Sequence, residues 1–340
     1  MNPQQQNVHY SKWFVLLILS SFTFVMLKSL GGGIPAFDQN ILGRSFLIIN
    51  FNHLRYLLGD HVFPQVLLGK QDWMEFTADG NLDDYQNAYM APETLEGIRQ
   101  KLEKLHEDLA ARNITLIVVV APNKATIYPE KMAGNIKKLN KKSRLDTFLE
   151  LMRQSKSDFV IDLRPALIAE HMNYQLYYKT DTHWNALGAY IAYRETMTYA
   201  SQIYPSLRPH QLDEFKYEAG SPQVMDLAHV TGMNFIQEAP IQLKPKFNSK
   251  TYFQRFTPTS NFSMSWGNNG QEQTMLIYHD SFGIALQPFL QTHFKQAMYI
   301  QDSSDTKTSS LSWVNKFQPN IVIIEIAERD LLYLDTLLSN

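Results

Sequence analysis

A nearly unbroken apolar run, ITLIVVVAP at positions 114–122, leaves this chain few possible folds. Its β-branched residues are typical of a strand that is covered on both faces of a parallel sheet. The segment before it, APETLEGIRQKLEKLHEDLAARN, has apolar residues at helical spacing, and Pro92 lies just inside its start. A helix followed directly by a doubly buried strand predicts an α/β layer architecture, here a parallel sheet flanked by helices.

The alternation of helix and strand recurs along the chain. SRLDTFLELMRQS predicts a helix before the strand FVIDLRP, and PNIVIIEIAERDLL predicts a last buried strand that runs into a helix. QVLLGKQDWMEFT predicts two strands joined by a turn at residues 69–72. Residues 205–270 are richer in Pro, Asn, Ser and Thr, and we interpret them as an insertion of short strands and loops that lines the site.

Length and composition exclude some classes of protein. The 340 residues allow one large or two modest domains. A net charge of -2 does not suggest nucleic-acid binding, and the lack of cysteine excludes disulfides, thiolate metal sites and a cysteine nucleophile. The basic segment KMAGNIKKLNKKSR is either an ordinary solvated surface or a patch that attracts an anionic polymer or lipid headgroups.

The N-terminal segment WFVLLILSSFTFVML, residues 13–27, carries no charge and is followed by Lys28 and a glycine-rich exit. We predict a cytoplasmic tail at residues 1–12, a transmembrane signal-anchor at 13–34, a connector at 35–64 and the main domain at 65–340. Because Lys12 precedes the apolar segment, the main domain would lie outside the cytoplasm, attached to an inner membrane by a single span. A cleaved signal peptide and a buried core helix are the alternatives.

The segment YYKTDTHWNALGAY places Asp181 and His183 just ahead of a predicted helix, for which Asn185 is a suitable N-cap. A neutral histidine there could serve as a general base, and a carboxylate on its Nδ1 would fix the tautomer. The two-residue spacing permits this contact only if the backbone bends. A metal site is the alternative, but no further ligand motif accompanies the pair, so we expect no metal.

The segment MLIYHDSFGIAL supplies a nucleophile. It predicts a strand ending at Tyr278, a turn and then a helix, which places Ser281 at the carboxyl end of the sheet, with its N–H directed towards a developing oxyanion. The alternative is that Asp280 or Ser281 is only an N-cap. His279 and Asp280 are local rivals for base and orienting group, but neighbouring residues in a tight turn rarely have converging side chains, so His183 is preferred.

Five motifs in this order resemble the SGNH-hydrolase-like domain of the alginate O-acetyltransferase family, of the AlgJ and AlgX type. They are GKQDWMEF, VVVAPNKATIYPE, D-x-H-W, H-D-S-F-G and EIAERDLL. The resemblance implies an SGNH-like fold with Asp181 as orienting group, His183 as base and Ser281 as nucleophile. It also implies a rearranged triad order, with Asp and His before Ser. Asp226 matches a GDL element of the family, but Met225 replaces the usual glycine, and no role is assigned to Asp226.

Further site residues are predicted with open alternatives. Besides the N–H of Ser281, the oxyanion or substrate candidates are Asn123 and Lys124, after a central strand, and Arg329, after the last strand. Arg329 could instead form a salt bridge with a neighbouring glutamate. Trp184 could form a wall or a sugar-stacking surface, or it could be a core aromatic.

The resemblance implies an extracytoplasmic O-acetyltransferase that acetylates an exopolysaccharide, alginate or another. The acetyl group would come from a multispanning membrane-bound O-acyltransferase, and we expect no cofactor because no segment resembles a coenzyme A or nucleotide site. An acetylesterase would use the same residues. A non-catalytic carbohydrate-binding subunit is the alternative of another class, and the intact Asp, His and Ser set argues against it.

Overall fold

The computed structural model describes residues 16, 19–21, 23, 44–134, 136–249, 251–255, 261–267, 272–301 and 312–339. The predicted tail, most of the predicted anchor and the first part of the connector lie outside these residues. Within the described part of the chain, no helix is both long and apolar enough to cross a membrane. The chain divides into two units, one of Met1–Asp60 with Thr231–Asn234 and one of His61–Val230 with Phe235–Asn340.

Helix α1, Arg44–Leu57, is the main element of the first unit. One of its faces lies against the short segment at residues 231–234. The buried Asn52 donates from Nδ2 to the carbonyl oxygen of Thr231 at 2.6 Å, and Ile48 and Ile49 lie beside Gly232. Gly232 has a φ of 69°, a backbone conformation that glycine adopts without strain.

The described residues of the second unit form three sheets. Its strands are β1 Val62–Phe63, β2 Val66–Leu68, β3 Met74–Phe76, β4 Thr115–Ala121, β5 Val160–Asp162, β6 Phe215–Ala219, β7 Ile241–Pro245, β8 Thr251–Arg255, β9 Phe262–Gly267, β10 Thr274–His279, β11 Gln296–Gln301 and β12 Ile321–Ala327. Strands β1 to β3 form an antiparallel sheet, and β6 pairs with β7.

Helices and short 3₁₀ turns connect these strands. The helices are α2 Asn81–Gln86, α3 Pro92–Ala110, α4 Lys124–Ile127, α5 Arg144–Gln154, α6 Arg164–Glu170, α7 Ala186–Ile203, α8 Asp226–Val230, α9 Gln287–Leu290, α10 Ser312–Phe317 and α11 Tyr333–Leu337. The 3₁₀ turns are Lys70–Asp72, Pro129–Lys131, Pro205–Leu207, Leu212–Glu214, Phe282–Leu286 and Glu328–Asp330.

The main sheet has seven strands in the order β5-β4-β12-β10-β11-β9-β8. The first five are parallel, and β9 and β8 continue the sheet as antiparallel strands. This confirms the predicted α/β fold with a mostly parallel sheet. The segment at 205–270 thus contributes two strands to the sheet itself, an outcome that depends on the pairing of β9 with the distant β11.

Both faces of the main sheet are buried, as the run at 114–122 predicts. Ile117, Val119 and Ala121 of β4 belong to one core cluster, together with residues of α7. Leu116, Val118 and Val120 belong to the other, together with residues of α3 and α5. This alternation follows from the period of two along a strand, and it explains why the sequence of β4 contains almost no polar residue.

Three central strands end together at the carboxyl edge of the sheet. In β12, Ile324 pairs with Val118 of β4 on one side and with Tyr278 of β10 on the other. The residues that follow β4, β10 and β12 therefore emerge next to one another, which is where open parallel sheets place their ligands.

Two helical glycines give a test of this packing. In α7, a Cβ on Gly188 would overlap the carbonyl oxygen of Leu176 and lie 2.8 Å from Cβ of Trp184, whereas in α3 a Cβ on Gly97 would meet only Oδ1 of Asp335, at 3.9 Å. We expect Gly188→Ala to lower the free energy of unfolding by about 1–3 kcal/mol. Gly97→Ala, the matched control, should raise it by up to about 1 kcal/mol. Urea unfolding measures both, and equal effects would contradict the packing at Gly188.

Candidate active site

Asp181, His183 and Ser281 form one hydrogen-bonded line at the carboxyl edge of the main sheet. Nε2 of His183 lies 2.8 Å from Oγ of Ser281, and Nδ1 of His183 lies 2.7 Å from Oδ1 of Asp181. All three side chains are partly buried. The order of a hydroxyl, an imidazole and a carboxylate is the one that nucleophilic acyl transfer uses.

The loop at residues 178–183 bends as the contact between Asp181 and His183 requires. Oδ1 of Asp181 accepts hydrogen bonds from both the backbone N–H of His183, at 2.9 Å, and its ring. Tyr177 and Trp184 form an isolated β-bridge that closes the base of the loop. Asn185 caps α7, because its Oδ1 accepts from the N–H groups of Leu187 and Gly188, which confirms its prediction as the N-cap.

Charge and burial oppose each other at Asp181. Burial acts to raise the pKa of this carboxyl, but the hydrogen bonds and charge of His183 outweigh it, so the pKa of Asp181 lies below its ordinary value. Asp181 is therefore an ionised hydrogen-bond acceptor for the histidine at neutral pH, as an orienting carboxylate must be.

The turn that carries Ser281 is fixed by Asp280. Oδ1 of Asp280 accepts from the N–H of Phe282 at 2.8 Å, and Oδ2 accepts from the N–H of Ala327 at 2.6 Å. Asp280 thus caps the turn, while Ser281 makes no side-chain cap bond and directs its Oγ to His183. Gly283 is required here because a Cβ would overlap His279 and lie 2.7 Å from Oε2 of Glu325.

His279, the local rival for the base, is engaged elsewhere. It is buried, with Nδ1 2.7 Å from the carbonyl oxygen of Asp280 and Nε2 3.2 Å from Nε2 of Gln287. Burial lowers its pKa. The geometry therefore favours His183 as the partner of Ser281.

Lys124 does not lie where an oxyanion donor is needed. Its ammonium is buried and donates to the carbonyl oxygens of Asp181, Tyr178 and Lys179, at 2.9, 3.2 and 3.1 Å, and to that of Met74. Burial lowers its pKa, an effect that nearby carboxylates oppose. Lys124 is thus a positioning residue, because its hydrogen bonds hold the 178–183 loop against the edge of the sheet.

Asn123 and Trp184 also have partners away from the reacting atoms. The N–H of Asn123 donates to Oε2 of Glu328 at 2.8 Å, and its side chain is 3.4 Å from Asp84. Trp184 is only 1% exposed, and its Nε1 donates to the carbonyl oxygen of Phe282, so it is a core aromatic, and it also borders the groove described below.

Arg329 lies beside an aromatic ring that contacts the candidate base. Its guanidinium is over the ring of Phe282, at 5.2 Å from the centroid, and that ring contacts His183. The salt bridge predicted as the alternative joins it to Asp330, at 3.6 Å, and not to Glu325 or Glu328.

Two carboxylates that sequence reasoning did not assign also hold the 178–183 loop. Oδ1 of Asp226 accepts from the N–H of Thr182 at 3.0 Å, and its Oδ2 accepts from Oγ1 of Thr182 at 2.7 Å and lies 3.8 Å from Nδ1 of His183. Oε2 of Glu238 accepts from both the N–H and the hydroxyl of Thr180. Burial, and secondly the charge of Asp181, raise the pKa of Asp226. In the sequence, the match of Asp226 to the GDL element of the family was the signal that could have identified this residue.

Asp181, His183 and Asp226 could also serve as metal ligands, because one atom from each lies within 4.8 Å of the others. Three protein ligands with an open position would suit a catalytic zinc ion. Here, however, Asp181 bonds His183, and Asp226 accepts from Thr182. These bonds would have to be replaced, so the arrangement fits a triad better than a metal centre.

A groove of about 460 Å³ adjoins the site. It lies between strand β7 and the segments that follow His183 and Ser281, and its wall is mostly apolar with polar groups from Asn185, Gln242, Lys244 and Gln291. A mostly apolar wall with a few hydrogen-bonding groups suits a small organic ligand such as a sugar ring.

A parallel α/β sheet with serine, histidine and aspartate aligned at its carboxyl edge defines the class of this protein, an SGNH-hydrolase-like domain. The chain belongs to the family described as SGNH hydrolase-like domain, acetyltransferase AlgX, whose profile matches residues 66–277, more than half of the sequence. The matched range includes Asp181, His183 and Asp226 and ends four residues before Ser281.

Known proteins agree with this assignment. "Probable alginate O-acetylase AlgJ" of Pseudomonas syringae pv. tomato is 29% identical over 133 residues, which cover 38% of this chain and 32% of that protein. The match thus spans about a third of the relative's length. The O-acetyltransferase domain of Pseudomonas putida AlgJ has a TM-score of 0.54 at 20% identity, covering 80% of this chain and 93% of that one. Bacillus cereus PatB1 has a TM-score of 0.57 at 16% identity, covering 81% and 97%. These two structures support the fold.

The buried carboxyl of Glu75, on β3 near Lys124, should make the free energy of unfolding depend on pH. Burial raises the pKa of Glu75 to about 7 from an ordinary value of 4.5, although Lys124 opposes the shift. The folded state therefore keeps a proton that the unfolded state loses, and stability falls as pH rises from about 4.5 to 7. Glu75→Gln mimics the protonated form. We expect its unfolding free energy to match the wild type at pH 4 and to exceed it by up to about 3 kcal/mol at pH 8.

The matched control is Glu107→Gln, which removes a charge from the exposed surface of α3. Urea unfolding of both variants from pH 4 to pH 8 makes the comparison. A difference from the wild type that does not change with pH in Glu75→Gln would contradict the buried, protonated state of Glu75.

Proposed function

We propose that this chain is an O-acetyltransferase that carries an acetyl group on Ser281 and transfers it to a hydroxyl of an exopolysaccharide. The observation that carries the proposal is the hydrogen-bonded line of Asp181, His183 and Ser281 at the sheet edge. Membership of the family described as acetyltransferase AlgX, and a relative named as an alginate O-acetylase, support the choice of acetyl and of a polysaccharide.

In the first half-reaction, Oγ of Ser281 attacks the acetyl carbonyl of the donor while Nε2 of His183 takes the hydroxyl proton. The donor's leaving group departs with that proton, and an acetyl ester remains on Ser281. Asp181 holds the other ring nitrogen and stabilises the imidazolium that forms in between. The N–H of Ser281 is the proposed oxyanion donor, and Arg329 adds positive charge near this position through its place over Phe282.

In the second half-reaction, a sugar hydroxyl gives its proton to Nε2 of His183 and attacks the acetyl ester. The ester bond to Ser281 breaks, and Oγ takes the proton back. The groove beside Ala285 is the proposed acceptor site, because it borders the segments that carry both His183 and Ser281. An esterase would run the first half-reaction identically and use water in the second.

The proposal includes a place in the cell. Residues 13–34 would anchor the protein in the inner membrane with the main domain in the periplasm, where exported polysaccharide is the acceptor. A multispanning membrane-bound O-acyltransferase would deliver the acetyl group, since acetyl coenzyme A is cytoplasmic. The proposed acceptor is alginate or another exopolysaccharide.

Formation and transfer of an adduct test the mechanism. After incubation of the protein with an activated acetyl ester, intact mass spectrometry should show one acetyl group on Ser281. Ser281→Ala should give none, and Asp181→Asn should slow acylation about a thousandfold or more. Ser206→Ala, at an exposed serine, is the matched control and should behave as the wild type. No adduct in folded wild-type protein would favour the non-catalytic binding subunit. An adduct lost equally fast with and without oligosaccharide would favour the esterase.

Filling the groove tests the acceptor site. Ala285 lines it, so Ala285→Phe should raise the KM for an acceptor oligosaccharide about tenfold or more while the acetyl ester on Ser281 still forms. Ile284→Phe, at the adjacent exposed position, is the matched control and should leave the KM unchanged. An unchanged KM in Ala285→Phe would place the acceptor elsewhere.

A further inference from the structure

Helix α1 exposes a continuous apolar face that a surface helix in water would not ordinarily have. The large apolar side chains on this face and directly after it are between 53% and 78% exposed. They are Phe46, Leu47, Phe51, Leu54, Leu57 and Leu58.

These six positions form one stripe. At about 100° per residue, they fall within roughly 140° of the helix circumference. Asn50 lies inside the same arc, but its Nδ2 donates to the carbonyl oxygen of Phe46 at 2.7 Å, so part of its polarity is satisfied by the helix itself. The opposite face carries Ile48, Ile49 and Asn52, which lie against residues 231–232. The helix is therefore apolar on two sides, and the described residues of its unit cover only one of them.

Charge lies at the border of the stripe. Arg44 and Arg55 fall just beyond its edge, and the Arg55 guanidinium is 5.8 Å from the centroid of Phe51 and bonds Asp60 at 2.7 Å. Basic residues at the edge of an apolar stripe are typical of helices that lie in a membrane interface. Because Arg55 is paired with Asp60, burial of the apolar side chains would contribute most of the attraction of the helix to a membrane.

The length and position of α1 agree with a bilayer as the occupant of this face. Its 14 residues span about 21 Å, less than the roughly 30 Å of a bilayer core, so it could lie along the membrane but not cross it. Nine residues separate the end of the predicted anchor at 13–34 from Arg44, and such a segment reaches at most about 35 Å. A chain anchored through 13–34 therefore keeps α1 close to the lipid surface.

We propose that α1 docks on the membrane surface, with Phe46, Leu47, Phe51, Leu54, Leu57 and Leu58 inserted among the lipid acyl chains. The axis of the helix would then lie parallel to the bilayer surface. This inference rests on the predicted anchor and not on the proposed chemistry, so either can fail without the other.

The absence of cysteine permits a direct test on the full chain. Single substitutions Leu54→Cys and Ser45→Cys place a fluorescent label on opposite sides of α1, since nine residues correspond to about 180°. Met172→Cys, at an 81% exposed apolar residue of the second unit, is a control outside α1. The labelled proteins are reconstituted into vesicles of zwitterionic lipid that carry a quencher on their acyl chains.

The Leu54 label should lose most of its fluorescence to the quencher, while the Ser45 and Met172 labels keep theirs. Leu47→Cys, on the same stripe, should repeat the result if Leu54→Cys disturbs the helix. Equal fluorescence at Leu54, Leu47 and Ser45 would overturn the proposal. A second result would also overturn it. If the Leu54 label becomes protected from water without vesicles, and more so at higher protein concentration, the face binds a second copy of the chain.

Discussion

The geometry of the site depends on the hydrogen bonds that the buried ammonium of Lys124 donates. A buried cation is unfavourable unless polar groups surround it, and a loop that folds inward leaves carbonyl oxygens that need donors. One set of hydrogen bonds meets both needs, because Nζ of Lys124 bonds the carbonyls of Tyr178, Lys179 and Asp181. Lys124 lies three residues beyond the end of β4. The position of the 178–183 loop is therefore set by a central strand of the sheet. The carboxylates of Glu75, Asp181, Asp226 and Glu238 lie close enough to favour its charged form.

Ser281, the proposed nucleophile, is attached to the same sheet by a different set of contacts. Asp280 ties the turn after β10 to the N–H of Ala327 at the end of β12, and Gly283 passes so close to Glu325 that no side chain fits. Burial, and secondly the charge of Asp280, raise the pKa of Glu325 well above its ordinary value, so Glu325 is neutral beside an acceptor carboxylate. Since β4, β12 and β10 are neighbours in the sheet, His183 and Ser281 are both positioned by one structural element.

The parts of this structure that follow from the sequence are those encoded over short distances. The apolar run of β4, the helical spacing of α3 and the N-cap Asn185 are local patterns, and parallel topology then brings the ends of β4, β10 and β12 together. The role of Lys124 depends on carbonyls about 50 residues away in either direction along the chain. Composition and spacing carry no signal for such bonds, and a lysine after a central strand is equally compatible with binding an oxyanion. The same holds for β8 and β9, whose membership of the main sheet depends on pairing with β11.

The proposed choice between acetyl transfer and hydrolysis has to be made outside the triad. The same serine, histidine and aspartate serve both reactions, and water is always abundant. A sugar hydroxyl held in reacting geometry can reach an effective concentration of about 10⁵ M or more, well above that of water. The groove beside Trp184 and Ala285 is suited to provide this advantage, since one wall comes from β7 and another from the segment after Ser281. Two chains of this family could therefore share the triad and differ in the groove wall that selects their acceptor.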